Sequence, residues 1–303
     1  MADEVELEVT DDLDGARVDK ALSVLLSLSR ARATLLAESG VEVDDAPARP
    51  SDRVRTGQVL RCARPEETLG LEPEEIEFGV LYEDQELIVV DKPAGLVVHP
   101  GSGRQRGTLA AGLIDRYPEL KGVGSADRWG LVHRLDKDTS GALLVARTQA
   151  SFAALTEQLR ERRLGRVYLA LVEGRMGAPT GTVEAPIGRD PSRPTRRTVT
   201  HGGKHARTHF EVLEEFPDAD ASLLEVRLET GRTHQIRVHM AAIGHVVAGD
   251  LTYGAVRKDL GSPRTFLHAS QLELDHPVTG EHLVVGSPLP PDLDRVLDRL
   301  RGV

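Results

Sequence analysis

The stretch His133-Arg134-Leu135-Asp136-Lys137-Asp138-Thr139-Ser140-Gly141 sets two aspartates among polar and charged neighbours, between the apolar runs Gly130-Leu131-Val132 and Ala142-Leu143-Leu144-Val145. The flanks read as two buried strands, so the residues between them form a loop or strand end held on a rigid base. Loops of that kind commonly carry function. Taken by themselves, Asp136 and Asp138 read as turn formers with solvated side chains. The rest of the chain decides between the two.

Outward from this stretch, Val80-Leu81-Tyr82 and Leu87-Ile88-Val89-Val90 flank the turn Glu83–Glu86 and predict a hairpin. Further strands are expected at 142–146, 167–172, 222–229 and 283–285, with helices near 151–163, 234–243 and 291–301. Strands follow one another with few helical crossovers, so the fold class is α+β, with a mixed, mainly antiparallel sheet rather than a doubly wound one.

A chain of 303 residues implies one large domain and a small one. The single cysteine, Cys62, allows no intramolecular disulfide and points to a reducing, cytoplasmic setting. The amino terminus is acidic where a secretory signal would be basic, and no apolar run approaches membrane-spanning length, so a soluble protein is expected. The net charge of −10, taken whole, argues against a nucleic-acid partner, but it is unevenly spread. Residues 1–14 and 66–91 contain no Lys or Arg and together carry −17, which leaves a remainder of +7. A phosphate-binding face is therefore permitted.

Residues 1–14 read as an acidic tail and 66–79 as an acidic linker. Between them, residues 15–65 form a small domain: Val18, Leu22, Leu25 and Leu26 recur at helical spacing, and a second helix ends near Gly40. Val41-Glu42-Val43 with Asp44-Asp45, and Thr56-Gly57-Gln58 with Val59–Cys62, predict strands and tight turns. Arg30 and Arg32 open the second helix, and the arrangement resembles the S4 RNA-binding module.

Three further segments carry chemistry. Arg166–Val172 is a strand-like run with one tyrosine, Tyr168, in a chain that has four. Gly231–Met240 reads as a turn entering a helix, with Thr233 at the N-cap. Gly188-Arg189-Asp190-Pro191 leads into Arg193, Arg196, Arg197, Lys204 and Arg207, with one acid across residues 189–207.

In this order the segments resemble the RNA pseudouridine synthases of the RluA family, and within it the D-type of the large ribosomal subunit. The matching text runs from Leu81–Asp84 and Asp91–Pro100, through Val132–Gly141 and Ala185–Arg189, to Glu229–Met240, Gly249-Asp250, Tyr253-Gly254 and Leu267-His268-Ala269. It covers residues 80–290, so residues 80–303 are expected to form a pseudouridine synthase catalytic domain. One departure is Thr265, where the family usually has glutamine; altered packing rather than altered chemistry is expected there.

The resemblance implies that uridine in RNA is isomerised by breaking the N1–C1′ bond and remaking it from C5. Asp136 matches the catalytic aspartate, which can stabilise positive charge on the sugar or attack C1′ as carboxylates do in glycosidases. Arg237 matches the cation that keeps this carboxylate ionised. Tyr168 matches the tyrosine that lies against the uracil and whose hydroxyl can assist removal of the C5 proton. Ile236 matches an apolar wall of the pocket. Uracil must be unstacked first, and Arg134 matches an arginine that fills the vacated space or, equally, contacts a phosphate. RNA would be gripped by Lys20, Arg30 and Arg32 of the small domain and by Arg189, Arg193, Arg196, Arg197 and Lys204 of the loop, through phosphates and shape. The reaction involves neither redox change nor hydrolysis, so no cofactor is expected.

Competing readings are weaker. His234, His239 and His245 are spaced by five and six residues, which does not align imidazoles on one helical face as a spacing of four does, so no metal is expected. Gly101, Gly103 and Gly107 echo a nucleotide-binding loop but lack the following Lys-Ser/Thr, and read as a flexible loop. The alternative function is an RNA-binding ribosome-assembly factor with secondary or lost catalysis; a pure binder has no need of Asp136, Tyr168 and Arg237 together. The expected partner is structured RNA, as large-subunit ribosomal RNA or precursor particles, with no membrane and a monomeric state.

Overall fold

The computed structural model describes residues 4–26, 28, 30–63, 71–99, 106–124, 129–193, 196–255, 257 and 260–303, with the backbone only at 30–32. The side chains of Arg30 and Arg32, the glycine loop at 101–103 and residues 66–70 of the expected linker lie outside the described residues. The chain divides into two compact units, residues 1–73 with 121–129, and residues 74–120 with 130–303.

In the first unit β1 (Glu4–Glu8), α1 (Val18–Leu25), α2 (Arg30–Glu38), β2 (Val41–Val43), β3 (Ala46–Ala48) and β4 (Val59–Ala63) form a helical pair and a four-stranded sheet of order β1-β4-β2-β3. The acidic terminus is thus not a tail from Glu4 onward. Glu4, Glu6 and Glu8 stay exposed while Val5 and Leu7 turn toward the core, so alternation pairs β1 antiparallel with β4. Asp44 and Asp45 both take left-handed backbone (φ 50° and 63°), which a two-residue hairpin between β2 and β3 requires. The Asp44 carboxylate accepts from the Val59 amide at 2.9 Å and from the Gln58 amide at 2.8 Å, bonds that lower its pKa. The acidic turn is a structural device that fastens the start of β4.

The second unit contains β5 (Gly79–Glu83), β6 (Leu87–Lys92), α3 (Leu109–Arg116), β7 (Ser140–Ala146), α4 (Gln149–Arg160), β8 (Gly165–Glu173), β9 (Thr180–Glu184), β10 (Ile187–Arg189), β11 (Arg197–Val199), β12 (Arg207–Phe216), β13 (Ala221–Leu228), α5 (Gln235–Ala242), β14 (Leu267–Asp275), β15 (His282–Gly286) and α6 (Pro291–Arg301). Its nine-stranded sheet runs β5-β6-β7-β14-β8-β13-β12-β9, with β15 on β14. Among the described residues β7 and β14 are its one parallel pair; the mixed, mainly antiparallel class read from the sequence holds.

The unit begins earlier than the expected boundary at 80. Glu74 accepts the Gly107 amide at 3.0 Å, and Ile76 packs so closely on α3 that a Cβ on Gly112 would fall 2.7 Å from it. Half-buried and in contact with α3, Ile76 packs with the domain rather than lying in a solvated linker.

The helix α4 lays Phe152, Leu155 and Leu159 on a cluster with Leu87, Val89, Leu144 and Leu272. Thr148 caps it by accepting the Ser151 amide at 3.1 Å. The amphipathic α6 buries Leu293, Val296 and Leu297 against Leu171, Leu223 and Phe266. Each fully buried leucine contributes about 1.5–3 kcal/mol, and the two clusters fix the strands that carry the site.

Candidate active site

The aspartate stretch leads into β7. Of its two apolar flanks only the second is a full strand; the first makes an isolated bridge, Leu131 with Val145, and a bond from the Val132 amide to the Leu144 carbonyl. The loop itself is pinned by its own backbone. The Thr139 amide closes a turn on the Asp136 carbonyl at 3.2 Å, and the Gly95 amide donates to the Lys137 carbonyl at 2.9 Å. Lys92, fully buried at the end of β6, donates to the carbonyls of Pro93, Leu96 and Lys137 at 2.8, 2.8 and 3.0 Å. Burial brings its pKa down to about 7, against the pull of Asp138 and Asp136.

The partner cation comes from α5. Its N-cap is His234, held in left-handed backbone at φ 59°, rather than Thr233, and no side chain caps it. Gln235 does the fastening: its Oε1 accepts from Thr230 Oγ1 at 2.8 Å and the Arg232 amide at 3.0 Å, while its Nε2 donates to the Arg207 carbonyl and Thr208 Oγ1, both at 3.0 Å. The first turn is thereby locked to β12, and Arg237 projects from its buried side.

Arg237 is 8% exposed and every terminal nitrogen is engaged. Nε and Nη2 form a fork on the buried Asp250 at 2.6 and 2.8 Å, Nη2 also reaches Thr252 Oγ1 at 2.9 Å, and Nη1 donates to Asp136 Oδ2 at 3.3 Å. Burial opposes its charge, but Asp250 and Asp136 outweigh it and the pKa is raised. Its guanidinium also lies 5.2 Å over the Tyr253 ring. Tyr253 is a junction: Arg196 stacks on the ring at 4.8 Å, and the hydroxyl accepts the Arg197 amide at 3.0 Å and bonds His234 Nδ1 at 2.9 Å.

Tyr168, on β8, is 5% exposed. Burial pushes its pKa up to about 12; the Arg166 charge pulls it down and the Asp136 charge pushes it up further, which places the phenol within the field of the aspartate. The structure therefore brings Arg237 onto Asp136, with Tyr168 near enough for its phenol to feel the aspartate's charge. The Asp136 carboxylate is 18% exposed, open to a ligand on one side and held by a cation on the other.

The remaining expected residues distribute differently. Ile236 is buried in the first turn of α5 and Arg134 is exposed on the aspartate loop. Arg189, Arg193 and Lys204 are exposed around the β10–β11 hairpin, whereas Arg196 is turned onto Tyr253 and Arg197 is half-buried. Arg207 is drawn into ion pairs with Glu184 and Glu229. Lys20, in the N-terminal unit, is exposed. The buried His239 spends Nδ1 on Thr208 Oγ1 and Nε2 on the Ala185 carbonyl, and His245 Nδ1 bonds the Glu173 carbonyl. Among the described residues no cluster of His, Cys, Asp and Glu could hold a metal, and no helix is long and apolar enough to cross a membrane.

Sequence reasoning gave no role to Asp250, Thr252 and Tyr253. A signal for Asp250 was present: a buried arginine needs a permanent counter-charge, and a carboxylate that must react cannot be that counter-charge throughout.

A rigid mixed sheet thus presents a carboxylate that is arginine-paired and partly open on a loop leading into β7. Residues 86–242 match the family described as RNA pseudouridylate synthase, and the chain belongs to that family. It is 45% identical over 310 residues to a ribosomal large subunit pseudouridine synthase D of Nitrosomonas europaea, covering 99% of this chain and 88% of that one. It is 40% identical to an uncharacterized RNA pseudouridine synthase, YlyB, of Bacillus subtilis, covering 98% of each. Among solved structures, human RNA pseudouridylate synthase domain containing 1 superposes with a TM-score of 0.58 at 29% identity, covering 76% of this chain and 97% of that one.

Proposed function

We propose that the protein converts specific uridines of large-subunit ribosomal RNA to pseudouridine, with Asp136 as the nucleophile on a flipped-out uridine. The observation that carries the reading is Arg237 shared between Asp250 and Asp136, which leaves the Asp136 carboxylate paired with a cation and partly open. Attack of Asp136 on C1′ breaks the N1–C1′ bond, whose electrons leave with the uracil. The ring turns against Tyr168, C5 re-attacks C1′ and displaces the carboxylate, the C5 proton is lost and N1 regains one. A route through a glycal, with Asp136 abstracting a sugar proton, uses the same residues and is the second reading of the aspartate's role.

The N-terminal unit, with a helical pair and small sheet, supports its reading as an S4-like RNA-binding domain, with Lys20, Arg30 and Arg32 as contacts. Arg189, Arg193, Arg196, Arg197 and Lys204 grip flanking phosphates around the β10–β11 hairpin. Arg134 fills the gap left by the flipped base or holds a phosphate, and Ile236 walls the pocket. The relative named as a ribosomal large subunit synthase supports ribosomal RNA as the substrate; precursor particles as its form, a cytoplasmic setting, read from the single cysteine, and a monomeric state belong to the same proposal.

The test is incubation with large-subunit ribosomal RNA, free or in immature ribosomal particles, followed by carbodiimide mapping of pseudouridine. New pseudouridine with the wild type and none with Asp136→Asn, which should still bind RNA, is the expected result. No new pseudouridine on either substrate leaves the RNA-binding assembly factor as the standing alternative.

A further inference from the structure

The string Arg264–Ala269, which ends in the matched text Leu267-His268-Ala269, has no task in the site as described, and its placement gives it one. Because β7 and β14 run parallel, with Ser140 opposite His268 and Gly141 opposite Ala269, the segments leading into them also run side by side. The approach is close: Gly141 has φ 111°, and a Cβ there would fall 2.2 Å from the Ala269 carbonyl oxygen. Arg264 precedes His268 by the same four residues by which Asp136 precedes Ser140.

We propose that Arg264 is a positioning residue that holds the Asp136 loop in the reactive geometry, with Asp292 of α6 as its anchor; the proposal rests on the reading of Asp136 as the reacting carboxylate. Nη1 of Arg264 donates to the Asp138 carbonyl at 3.0 Å and Nη2 to Ser140 Oγ at 3.1 Å, so one planar group bridges the loop and the first residue of β7. Its other edge forks onto Asp292, Nε at 2.7 Å and Nη2 at 3.2 Å, and Asp292 Oδ1 also accepts the Leu293 amide at 3.0 Å in the first turn of α6. The guanidinium thus ties the loop to a helix that is itself packed into a core cluster.

The rest of the network fixes the direction of each bond. The Ser287 carbonyl can only accept, so His268 carries its proton on Nε2 and donates there at 3.0 Å. His268 Nδ1 then accepts from Ser140 Oγ at 3.0 Å, which leaves the Ser140 oxygen to accept from Arg264. With Lys92 and the Gly95 amide on the Lys137 carbonyl, and Arg264 on the Asp138 carbonyl, each carbonyl from 136 to 138 has a donor. Among the described residues the Asp136 side chain has a single bond, to Arg237 at 3.3 Å, so its aim is set through the backbone that carries it. A misplacement of about 1 Å at a reacting centre costs about 100-fold in rate.

The experiment compares steady-state kinetics of the full-length wild type, Arg264→Ala, Arg264→Lys, Asp292→Asn and Asp136→Asn on one RNA, with the folded fraction taken from RNA-binding stoichiometry. Per folded molecule, Arg264→Ala should lose about 30- to 100-fold in kcat with the KM for RNA within twofold of wild type. Arg264→Lys, which keeps a charge but not the fork, should recover part of this, and Asp292→Asn should lose about 3- to 10-fold. Wild-type kcat per folded Arg264→Ala molecule, or a loss carried wholly by KM, overturns the positioning role. Should Asp136→Asn turn over normally, the parent reading falls instead; an inactive Asp136→Asn beside a fully active Arg264→Ala removes only this proposal.

Discussion

Nη1 of Arg237 lies 3.3 Å from Oδ2 of Asp136, whereas the same guanidinium reaches Asp250 at 2.6 and 2.8 Å. The shorter, bidentate bonds go to the carboxylate with no exposed side-chain surface, the longer one to the carboxylate that is 18% exposed. This inequality suits a reacting group. Asp250 is the standing counter-ion, so Arg237 keeps its charge and its aim when an oxygen of Asp136 is engaged with carbon. Asp136 in turn pairs with the guanidinium through one oxygen, Oδ2.

Asp250→Asn should therefore damage both fold and chemistry. A buried arginine stripped of its main counter-ion costs about 3–5 kcal/mol, to be seen as a lower urea midpoint with an unchanged slope. Relieved of Asp250, Arg237 is free to close on Asp136, so turnover should fall while RNA binding stays near wild type. Wild-type turnover in this variant would show that Asp136 needs no shared cation.

Tyr168→Phe separates the ring from the hydroxyl. The folded pKa of about 12 stands above the ordinary tyrosine value of about 10, so between those limits the unfolded chain has given up a proton that the folded one keeps. Stability from this group is thus complete below about pH 10 and is lost as pH rises toward 12, by up to about 2–3 kcal/mol. Urea unfolding of the phenylalanine variant should lack that part of the alkaline decline. If the hydroxyl removes the C5 proton, turnover falls by about 100-fold; unchanged turnover confines Tyr168 to stacking.

The strands that were legible were those buried on both faces, such as Ala142–Val145 and Leu87–Val90, whose continuous apolar runs leave little choice. Those missed include β12, whose charged and polar residues at half-buried and exposed positions follow directly on a basic stretch read as loop, and β14, whose half-buried positions carry Ser270, Gln271, Glu273 and Asp275. The small helix α3 was missed because Gly112 interrupts its pattern, and that glycine is there for Ile76 to approach. Asp136, Arg237 and Tyr168 were legible as text, through resemblance. Asp250, Tyr253 and Arg264 were equally present as text but without roles, because their work is done across the fold, Arg264 standing 126 residues beyond the Asp138 carbonyl it holds.

Arg193 and Lys204 are exposed near the β10–β11 hairpin, in contrast to Arg207, which is spent on Glu184 and Glu229. Phosphate contacts act by releasing counterions, so neutralising both to glutamine should weaken RNA binding uniformly across sequences. It should also flatten the dependence of log affinity on log salt by about one unit per residue. Titrations from low to moderate salt read the slope directly; an unchanged slope would place the RNA on another face.

Lys92→Met tests whether the aspartate loop needs its buried cation. The side chain is fully buried, and its ammonium serves three carbonyls, of Pro93, Leu96 and Lys137. Methionine matches the stem in length but donates nothing, so Pro93 and Leu96 lose this donor while Lys137 keeps the Gly95 amide. Buried acceptors left unmade cost about 1–3 kcal/mol each, which sets an expected loss of about 2–6 kcal/mol. The damage should be local as well as global. Hydrogen exchange should quicken at Gly95 and Thr139, whose amides bond the Lys137 and Asp136 carbonyls, before it quickens in the central strands. Unchanged stability in Lys92→Met would mean that water replaces the ammonium at no cost, and the loop would then owe its geometry to the remaining backbone bonds.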